Sequence, residues 1–93
     1  MIKTFRDKAT AAIFAGKRVK SLPPEIQQRA REKLMLLHHA AVLEDLRIPP
    51  ANRLEALSGN RQGEHSIRIN RQWRICFVWN DSDVSEVEIT DYH

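Results

Sequence analysis

The 93-residue sequence predicts an α+β fold in which two N-terminal helices pack on one face of a small, mainly antiparallel sheet. Apolar residues in the first half recur every three or four positions, the spacing of a buried helical face. After "IPPANR" (48–53) the apolar residues alternate with polar ones, which is the period of a strand. No linker, repeat or low-complexity segment divides the chain, so we expect one domain over residues 1–93.

Two helices are predicted before the prolines. Asp7 is a good cap for a first helix that runs from about Lys8 to Ala15. "SLPPE" (21–25) begins the second helix, because a proline at the first helical position lacks only an amide that has no helical partner. An apolar stripe extends this helix to about Leu46. The stripe consists of Ile26, Ala30, Leu34, Leu37 and Ala41.

Strands are predicted at the start of the chain and throughout its second half. "IKTF" (2–5) alternates and indicates a short first strand. Clusters of Gly, Asn, Asp and Ser mark tight turns between the later segments. Those segments are "RLEAL" (53–57), "HSIRIN" (65–70), "WRICFVW" (73–79) and "VSEVEIT" (84–90). In the third of them, Arg74 is predicted to point away from the face that Trp73, Ile75, Phe77 and Trp79 share.

Charge is unevenly distributed along the chain, whose net charge is +3 with a pI near 9.4. Residues 1–20 contain six basic residues and one acidic residue, and residues 51–80 contain five basic and two acidic ones. The last thirteen residues contain five acidic residues and no Lys or Arg. The two basic segments either converge into a surface for a polyanion or form an ordinary solvated surface with ion pairs, and charge alone leaves both interpretations open.

Several classes of function lack a matching pattern. The longest apolar run, "AAIFA" (11–15), is far too short for a bilayer span, so we expect a cytoplasmic protein without membrane contact. The single cysteine, Cys76, has no partner for a disulfide or a zinc site and is predicted to be buried in the sheet. No phosphate-binding glycine loop or metal spacing is present, so we predict no cofactor and no metal. His38 and His39 are predicted to be packing or surface residues.

The end of the predicted sheet carries side chains that suit phosphodiester chemistry. Cleaving RNA without a metal requires a base for the ribose 2′-hydroxyl, a cation at the phosphorus and an acid for the departing oxygen. From residue chemistry alone, the simpler interpretation is structural: Tyr92 packs against the core and Asp91 pairs with an arginine. If strand 84–90 pairs with strand 73–79, the grouped residues are Arg68, Arg74, Asp91, Tyr92 and His93.

The sequence resembles the HigB branch of the RelE/ParE toxin superfamily, whose members are also called plasmid maintenance killer proteins. The resemblance covers nearly the whole chain, and its most specific parts are "LSGNRQGEHSIRINRQWRI" and the closing "DYH". "MIKTFRDK", "LPPEIQQRAREKL" and "VEITDYH" also match. It implies a RelE-like fold and a toxin that enters the ribosomal A site, cuts messenger RNA there and arrests growth.

The resemblance also implies partners and site residues. A HigA-like helix-turn-helix antitoxin would neutralise the toxin, and operator DNA would be bound only through their complex. The resemblance assigns catalysis to Asp91, Tyr92, His93 and Arg74, and gives Arg61 a weaker role in a basic loop. With the basic segments, the predicted RNA-binding residues are Arg61, Arg68, Arg71, Lys17, Arg18 and Lys20.

One position departs from the family pattern. Some relatives have a catalytic histidine where this chain has Glu55, directly after Leu54. Glu55 is either a general base that works with His93 as the acid, or a structural partner for an arginine, and we favour the structural role because a carboxylate repels phosphate. Two other functions stay open: a ParE-like gyrase inhibitor, which the "DYH" ending disfavours, and a non-catalytic basic module that binds RNA or the antitoxin.

Overall fold

Two helices and a four-stranded antiparallel sheet make up the part of the chain that the computed structural model describes, residues 1–91. The strands lie side by side in chain order, so every neighbouring pair is joined by a direct connection. The predicted α+β class is therefore confirmed. The elements are α1 (Lys8–Phe14), α2 (Pro24–His39), β1 (Glu55–Ala56), β2 (His65–Arg68), β3 (Trp73–Asn80) and β4 (Asp83–Asp91).

Both helices begin where the sequence predicts. The Asp7 carboxylate accepts a hydrogen bond of 2.7 Å from the amide of Thr10, which satisfies one of the free amides of the first turn of α1. Helix α2 begins with Pro24 in its first turn, and its apolar stripe faces the core. No helix within residues 1–91 is long and apolar enough to cross a bilayer.

Helix α2 ends at His39, so the predicted extension to Leu46 is wrong. The Asp45 carboxylate accepts hydrogen bonds from the amides of Ala41 and Val42 at 2.9 and 3.1 Å. These two amides are therefore bound to a side chain instead of to helical carbonyls, which favours a break at this point. Ala41 is exposed, and a short 3₁₀ helix then brings Leu46 into the core.

The N-terminal segment is extended, but it makes two isolated parallel bridges to β4 instead of a continuous strand. Ile2 pairs with Val84 and Phe5 pairs with Val87. The amide of Lys3 donates to the Val84 carbonyl at 2.7 Å. The segment therefore covers the outer edge of β4, whose backbone groups would otherwise be open to pairing with another chain.

The sheet has one face against the helices and one face that carries polar side chains. Strand β1 has two residues instead of the predicted five, and it adds only a short edge to β2. Arg74 and Cys76 lie on the face away from the helices, as predicted, while Ile75 and Phe77 are fully buried beneath α1 and α2. The core consists of Ile13, Ile26, Ala30, Leu34, Leu37, Ala40, Leu46, Ile67, Ile69, Ile75, Phe77, Val84, Val87 and Ile89.

Candidate active site

Arg74 is held in one orientation on the face of the sheet away from the helices. Its side chain is nearly buried, with the residue 8% exposed. The Arg74 Nε donates a hydrogen bond of 2.7 Å to the Ser66 Oγ, and Nη2 donates one of 2.7 Å to the Arg53 carbonyl. A planar guanidinium fixed at two of its nitrogens still has further N–H groups with which to meet a phosphate.

Glu55 lies beside this arginine. Its Oε2 is 3.9 Å from the Arg74 Nη2, at the outer limit of an ion pair, and its side chain is half exposed. The contact agrees with Glu55 as a partner for an arginine. The same carboxylate also faces solvent, from which a substrate would approach it, and its action as a general base stays a prediction.

A second arginine shares the face of Arg74. Arg68 on β2 is the direct cross-strand partner of Arg74, and Arg74 in turn is paired with Thr90 on β4. Directly paired residues of antiparallel strands point to the same face. The two side chains therefore leave the sheet on the same face, near the end that β4 reaches with its last residues.

The predicted catalytic tail begins at this end of the sheet. Asp91 pairs with Trp73, and its carboxylate accepts a hydrogen bond of 3.0 Å from the Gln72 side-chain amide. This register places Asp91 on the face of Trp73, one position out of phase with Arg74. Tyr92 and His93 lie outside the described residues, so their roles stay predictions.

A network of ion pairs lies further along the polar face, around Glu88, which pairs with Cys76 across β3 and β4. Arg61 donates to Glu64 at 3.1 Å and to Glu88 at 3.0 Å, and Arg6 contacts the same two carboxylates at 3.4 and 3.3 Å. Burial acts to lower the pKa of Arg61, but these carboxylates outweigh it and raise that pKa. The positive charge of Arg61 is therefore already balanced within the protein.

The network and the sheet bury Cys76. Burial raises the pKa of its thiol, with Glu64 and Glu88 acting in the same direction against the two nearby arginines. A neutral, inaccessible thiol is a poor nucleophile. The prediction that Cys76 is a structural residue of the sheet is confirmed.

The predicted basic residues of the first segment lie elsewhere. Lys17, Arg18 and Lys20 line a cleft of about 700 Å³ between the α1–α2 connection and α2. This cleft belongs to the helical layer, whereas Arg74 lies on the opposite face of the sheet. The structure thus divides the predicted RNA-binding residues between two surfaces.

The histidines that the structure describes are not arranged as metal ligands. No group of three His, Cys, Asp or Glu side chains within residues 1–91 could hold a metal ion. His38 accepts a hydrogen bond of 3.1 Å from the Ile2 amide at Nδ1, and its ring packs against Phe14. Its packing role is confirmed.

Sequence reasoning missed the residues that hold the arginines in place. Ser66 could have been found, because pairing of β2 with β3 across the short "NRQ" turn brings it near Arg74. The Arg53 carbonyl could not, since its direction depends on the left-handed backbone of that residue, with φ of 45°. Arg6 is 82 residues from Glu88 in sequence, and no local pattern links them.

Known structures with this architecture are found among small bacterial proteins. YafQ from Escherichia coli strain BL21(DE3) superposes with a TM-score of 0.65 over 98% of this chain and 91% of that one, at 12% identity. The YoeB–YefM toxin–antitoxin complex from Staphylococcus aureus contains a chain that superposes with a TM-score of 0.62, covering 100% and 95% of the two chains at 19% identity. These likenesses place the chain in the RelE-like fold class.

Sequence comparison then identifies the family. The chain belongs to the HigB-like toxins, because the model of the "RelE-like toxin of type II toxin-antitoxin system HigB" matches residues 3–93. It is 42% identical over 82 residues to Toxin HigB-1 of Vibrio cholerae serotype O1, covering 87% of this chain and 86% of that protein. It is 28% identical over 93 residues, the full length of both proteins, to Endoribonuclease HigB of Proteus vulgaris. Membership of a toxin–antitoxin family implies an antitoxin partner.

Proposed function

We propose that this toxin is an endoribonuclease that cuts messenger RNA in the ribosomal A site, without a metal, and thereby stops translation. The observation that supports this most is the fixed guanidinium of Arg74 on β3, the strand that pairs with β4, with Arg68 as its cross-strand partner on β2. Two cations at one end of a sheet suit a phosphodiester. The name of the Proteus vulgaris relative, Endoribonuclease HigB, agrees with RNA as the substrate.

In the proposed reaction the ribose 2′-oxygen attacks the adjacent phosphorus while the bond from phosphorus to the 5′-oxygen breaks. The products are a 2′,3′-cyclic phosphate and a new 5′-hydroxyl. Arg74 offsets the negative charge that builds on the phosphorane oxygens. His93, with Tyr92 and Asp91, is proposed to transfer the protons, one from the 2′-hydroxyl and one to the 5′-oxygen.

The residues of the proposed RNA-binding surface are expected to contribute unequally to RNA binding. Arg68 is the cross-strand partner of Arg74, Arg71 lies in the adjoining turn, and neither has an ion-pair partner within residues 1–91. Arg61 shares the surface, but its charge is balanced by carboxylates, so we assign it a smaller contribution. Lys17, Arg18 and Lys20 would contact ribosomal RNA from their separate cleft.

The proposed biological setting follows from the substrate. A HigA-like helix-turn-helix antitoxin would hold the toxin inactive, and operator DNA would be contacted through that complex. Ribosomes are the site of action, so the protein would act in the cytoplasm.

Mapping the 5′ ends of transcripts after induction tests this function. We expect new ends within translated codons, and we expect purified ribosomes with bound messenger RNA to be cut in the presence of a chelator that leaves the ribosomes intact. His93→Ala and Tyr92→Ala should abolish growth arrest and keep antitoxin binding. Thermal unfolding and retained antitoxin binding show whether each variant is folded.

Three results would contradict the proposal in different ways. Growth arrest with intact transcripts and trapped gyrase would indicate a gyrase inhibitor. RNA binding without new ends would indicate a non-catalytic module. Cutting by both tail variants would exclude the tail residues from the chemistry.

A further inference from the structure

We propose that a cationic cleft beside the Arg74 site binds further backbone phosphates of the same single-stranded RNA, and that Arg29 and Lys33 of α2 are phosphate ligands. This inference rests on the proposed ribonuclease function and extends it to residues outside the sheet. The cleft has a volume of about 420 Å³. It is lined by Arg29, Lys33, Ala51, Arg68, Ile69, Asn70 and Arg71.

The position of the cleft connects it to the proposed reacting phosphate. The β2–β3 turn forms one wall, and the Ile69 amide of that turn donates a hydrogen bond of 2.9 Å to the Trp73 carbonyl. Arg68 belongs to the cleft and is also the cross-strand partner of Arg74. An RNA strand with one phosphate at Arg74 therefore has neighbouring phosphates within reach of the cleft.

The cations of the cleft form no ion pair with the described part of the protein. Its lining includes four cationic side chains and, among the described residues, no carboxylate. No ion pair within residues 1–91 involves any of these four, whereas Arg6 and Arg61 share Glu64 and Glu88. Gathered cations repel one another, and a bound polyanion removes that repulsion.

Two of the cations are anchored by hydrogen bonds. Lys33 Nζ donates to the side-chain oxygen of Asn52, a fully buried residue whose own amide donates to the Leu46 carbonyl at 3.1 Å. Arg29 Nη1 makes a long hydrogen bond of 3.5 Å to the Ile69 carbonyl. Each group keeps further N–H donors for a ligand, and anchoring reduces the entropy lost on binding.

The environment of Lys33 agrees with an anion site. Burial and the nearby Arg29 lower the pKa of its ammonium, against a smaller opposing effect of Glu32. Both effects make the charged group less stable in the free protein. A phosphate at this position would reverse the repulsion and favour the charged form.

The lining favours RNA over an acidic peptide. Protein ligands usually anchor in grooves through large apolar side chains, and here the apolar lining consists of Ala51 and the buried Ile69. Arg71 is exposed at the turn, and its planar guanidinium can stack on an unpaired base as well as bind phosphate. A polar, cationic cleft of this kind matches a charged backbone better than an amphipathic helix.

Binding of a labelled single-stranded RNA with 2′-O-methyl groups, which block cleavage, tests the cleft by fluorescence anisotropy. We expect Arg29→Gln and Lys33→Gln each to weaken binding about threefold to tenfold at low salt, and their combination to weaken it further. The slope of log affinity against log salt should become shallower by about 0.7 for each phosphate that the variant no longer binds. Thermal unfolding shows that each variant is folded, and Arg29→Gln tests the site without touching the Lys33–Asn52 hydrogen bond.

Matched controls remove the same charge at a distance from the cleft. Lys3 and Lys8 are exposed, and Lys3 bonds to Val84, at the opposite end of β4 from Asp91. Lys3→Gln, and the pair Lys3→Gln with Lys8→Gln, should leave affinity within about twofold of the wild type and change the salt slope less. Equal losses of affinity in the control and cleft variants would show that only net charge matters, and would overturn the proposed phosphate site.

Cleavage of ribosome-bound messenger RNA separates this inference from the proposed function. A wild type that cuts while the cleft variants bind and cut normally overturns the cleft alone. A wild type that binds RNA through Arg29 and Lys33 but makes no cut overturns the ribonuclease and leaves the cleft. A wild type that does not bind the RNA above the level of the double variant, or cleft variants that lose only antitoxin affinity, would overturn the cleft.

Discussion

At the scale of single residues, the main feature of the candidate site is a nearly buried arginine, Arg74, whose guanidinium is held by hydrogen bonds. Burying a charge is costly unless hydrogen bonds replace the lost water. Ser66 and the Arg53 carbonyl supply those bonds to Arg74, and Glu55 adds a weak ion pair. The same contacts fix the direction of the guanidinium before substrate arrives, which is the preorganisation that charge stabilisation in a transition state needs.

Ser66 is therefore predicted to be a positioning residue for Arg74. Ser66→Ala removes the acceptor of the Arg74 Nε at 2.7 Å, so we expect kcat for cleavage to fall about tenfold while KM changes little. Ser66→Thr keeps the hydroxyl and should restore most of the rate. An effect confined to KM, or a Thr variant as impaired as the Ala variant, would argue against positioning.

Glu55 gives a second test at this scale. If it is only a partner of Arg74, Glu55→Gln should cut RNA within about threefold of the wild type, because a half-exposed carboxylate 3.9 Å from its partner contributes little. Its pH–rate profile should also keep its shape. Glu44→Gln removes an equivalent charge from an exposed pair with Arg47 and serves as the control. A loss of about a hundredfold or more, with a missing acidic limb in the profile, would instead make Glu55 the general base.

At the scale of elements, the strongest periodic patterns predicted the fold and the weakest ones failed. The helix starts could be predicted from the sequence, because Asp7 and the prolines each affect the backbone within one helical turn of their own position. The end of α2 was not, since it depends on the Asp45 side chain, which competes for amides within the apolar stripe. Strand β1 was overestimated because its two residues pair with one neighbour only.

The hydrogen bond by which Asp7 caps α1 should make a measurable contribution to the free energy of unfolding. Asp7→Ala leaves the Thr10 amide without its acceptor, so we expect the free energy of unfolding to fall by about 1 kcal/mol. Asp7→Asn keeps a capping oxygen and should lose much less. Denaturant unfolding of the three proteins measures the difference, and equal losses in both variants would show that the charge of Asp7 matters more than its hydrogen bond.

The sequence likewise predicted those features of the site that depend on local structure and missed those that depend on contacts distant in the chain. Alternation placed Arg74 on the face away from the core, because side-chain direction in a strand is a local property. Its neighbours depend on register and on separations of 8 and 21 residues, to Ser66 and the Arg53 carbonyl. The balancing of Arg61 by Glu88 likewise depends on a contact 27 residues apart, so a basic loop was predicted where the structure has an ion-pair network.

At the scale of the whole molecule, folding brings the acidic C-terminal segment against basic residues from earlier in the chain. Carboxylates of the acidic C-terminal segment pair with Arg6 and Arg61, as in the contacts of Glu86 and Glu88. The cations around the β2–β3 turn are left without such partners among residues 1–91. The ion pairs thus neutralise the centre of the polar face, while the cations around this turn, and Lys17, Arg18 and Lys20 in their separate cleft, stay available to a polyanion.

The N-terminal segment is held to this framework by a contact that depends on pH. His38 Nδ1 accepts the Ile2 amide at 3.1 Å, which requires the neutral form of the imidazole. Burial lowers the pKa of His38 below its usual value of about 6.5, and His39 and the N-terminal ammonium act in the same direction. Protonation would remove the acceptor and weaken the attachment of the segment that covers β4.

Stability should therefore decrease on mild acidification in a way that His38 controls. Because the folded-state pKa lies below the unfolded-state one, the unfolded chain binds the proton first as the pH falls. The contribution is complete above a pH of about 6.5 and is lost as the pH drops from there toward the folded-state pKa. In His38→Gln, whose amide oxygen can still accept from Ile2, the free energy of unfolding should fall less over this range. His39→Gln keeps the His38 acceptor and should retain most of the wild-type fall, reduced only by the loss of the effect of His39 on the pKa of His38. Identical pH dependence in wild type and His38→Gln, measured by denaturant unfolding at each pH, would show that this histidine does not link protonation to the folding of the N-terminal segment.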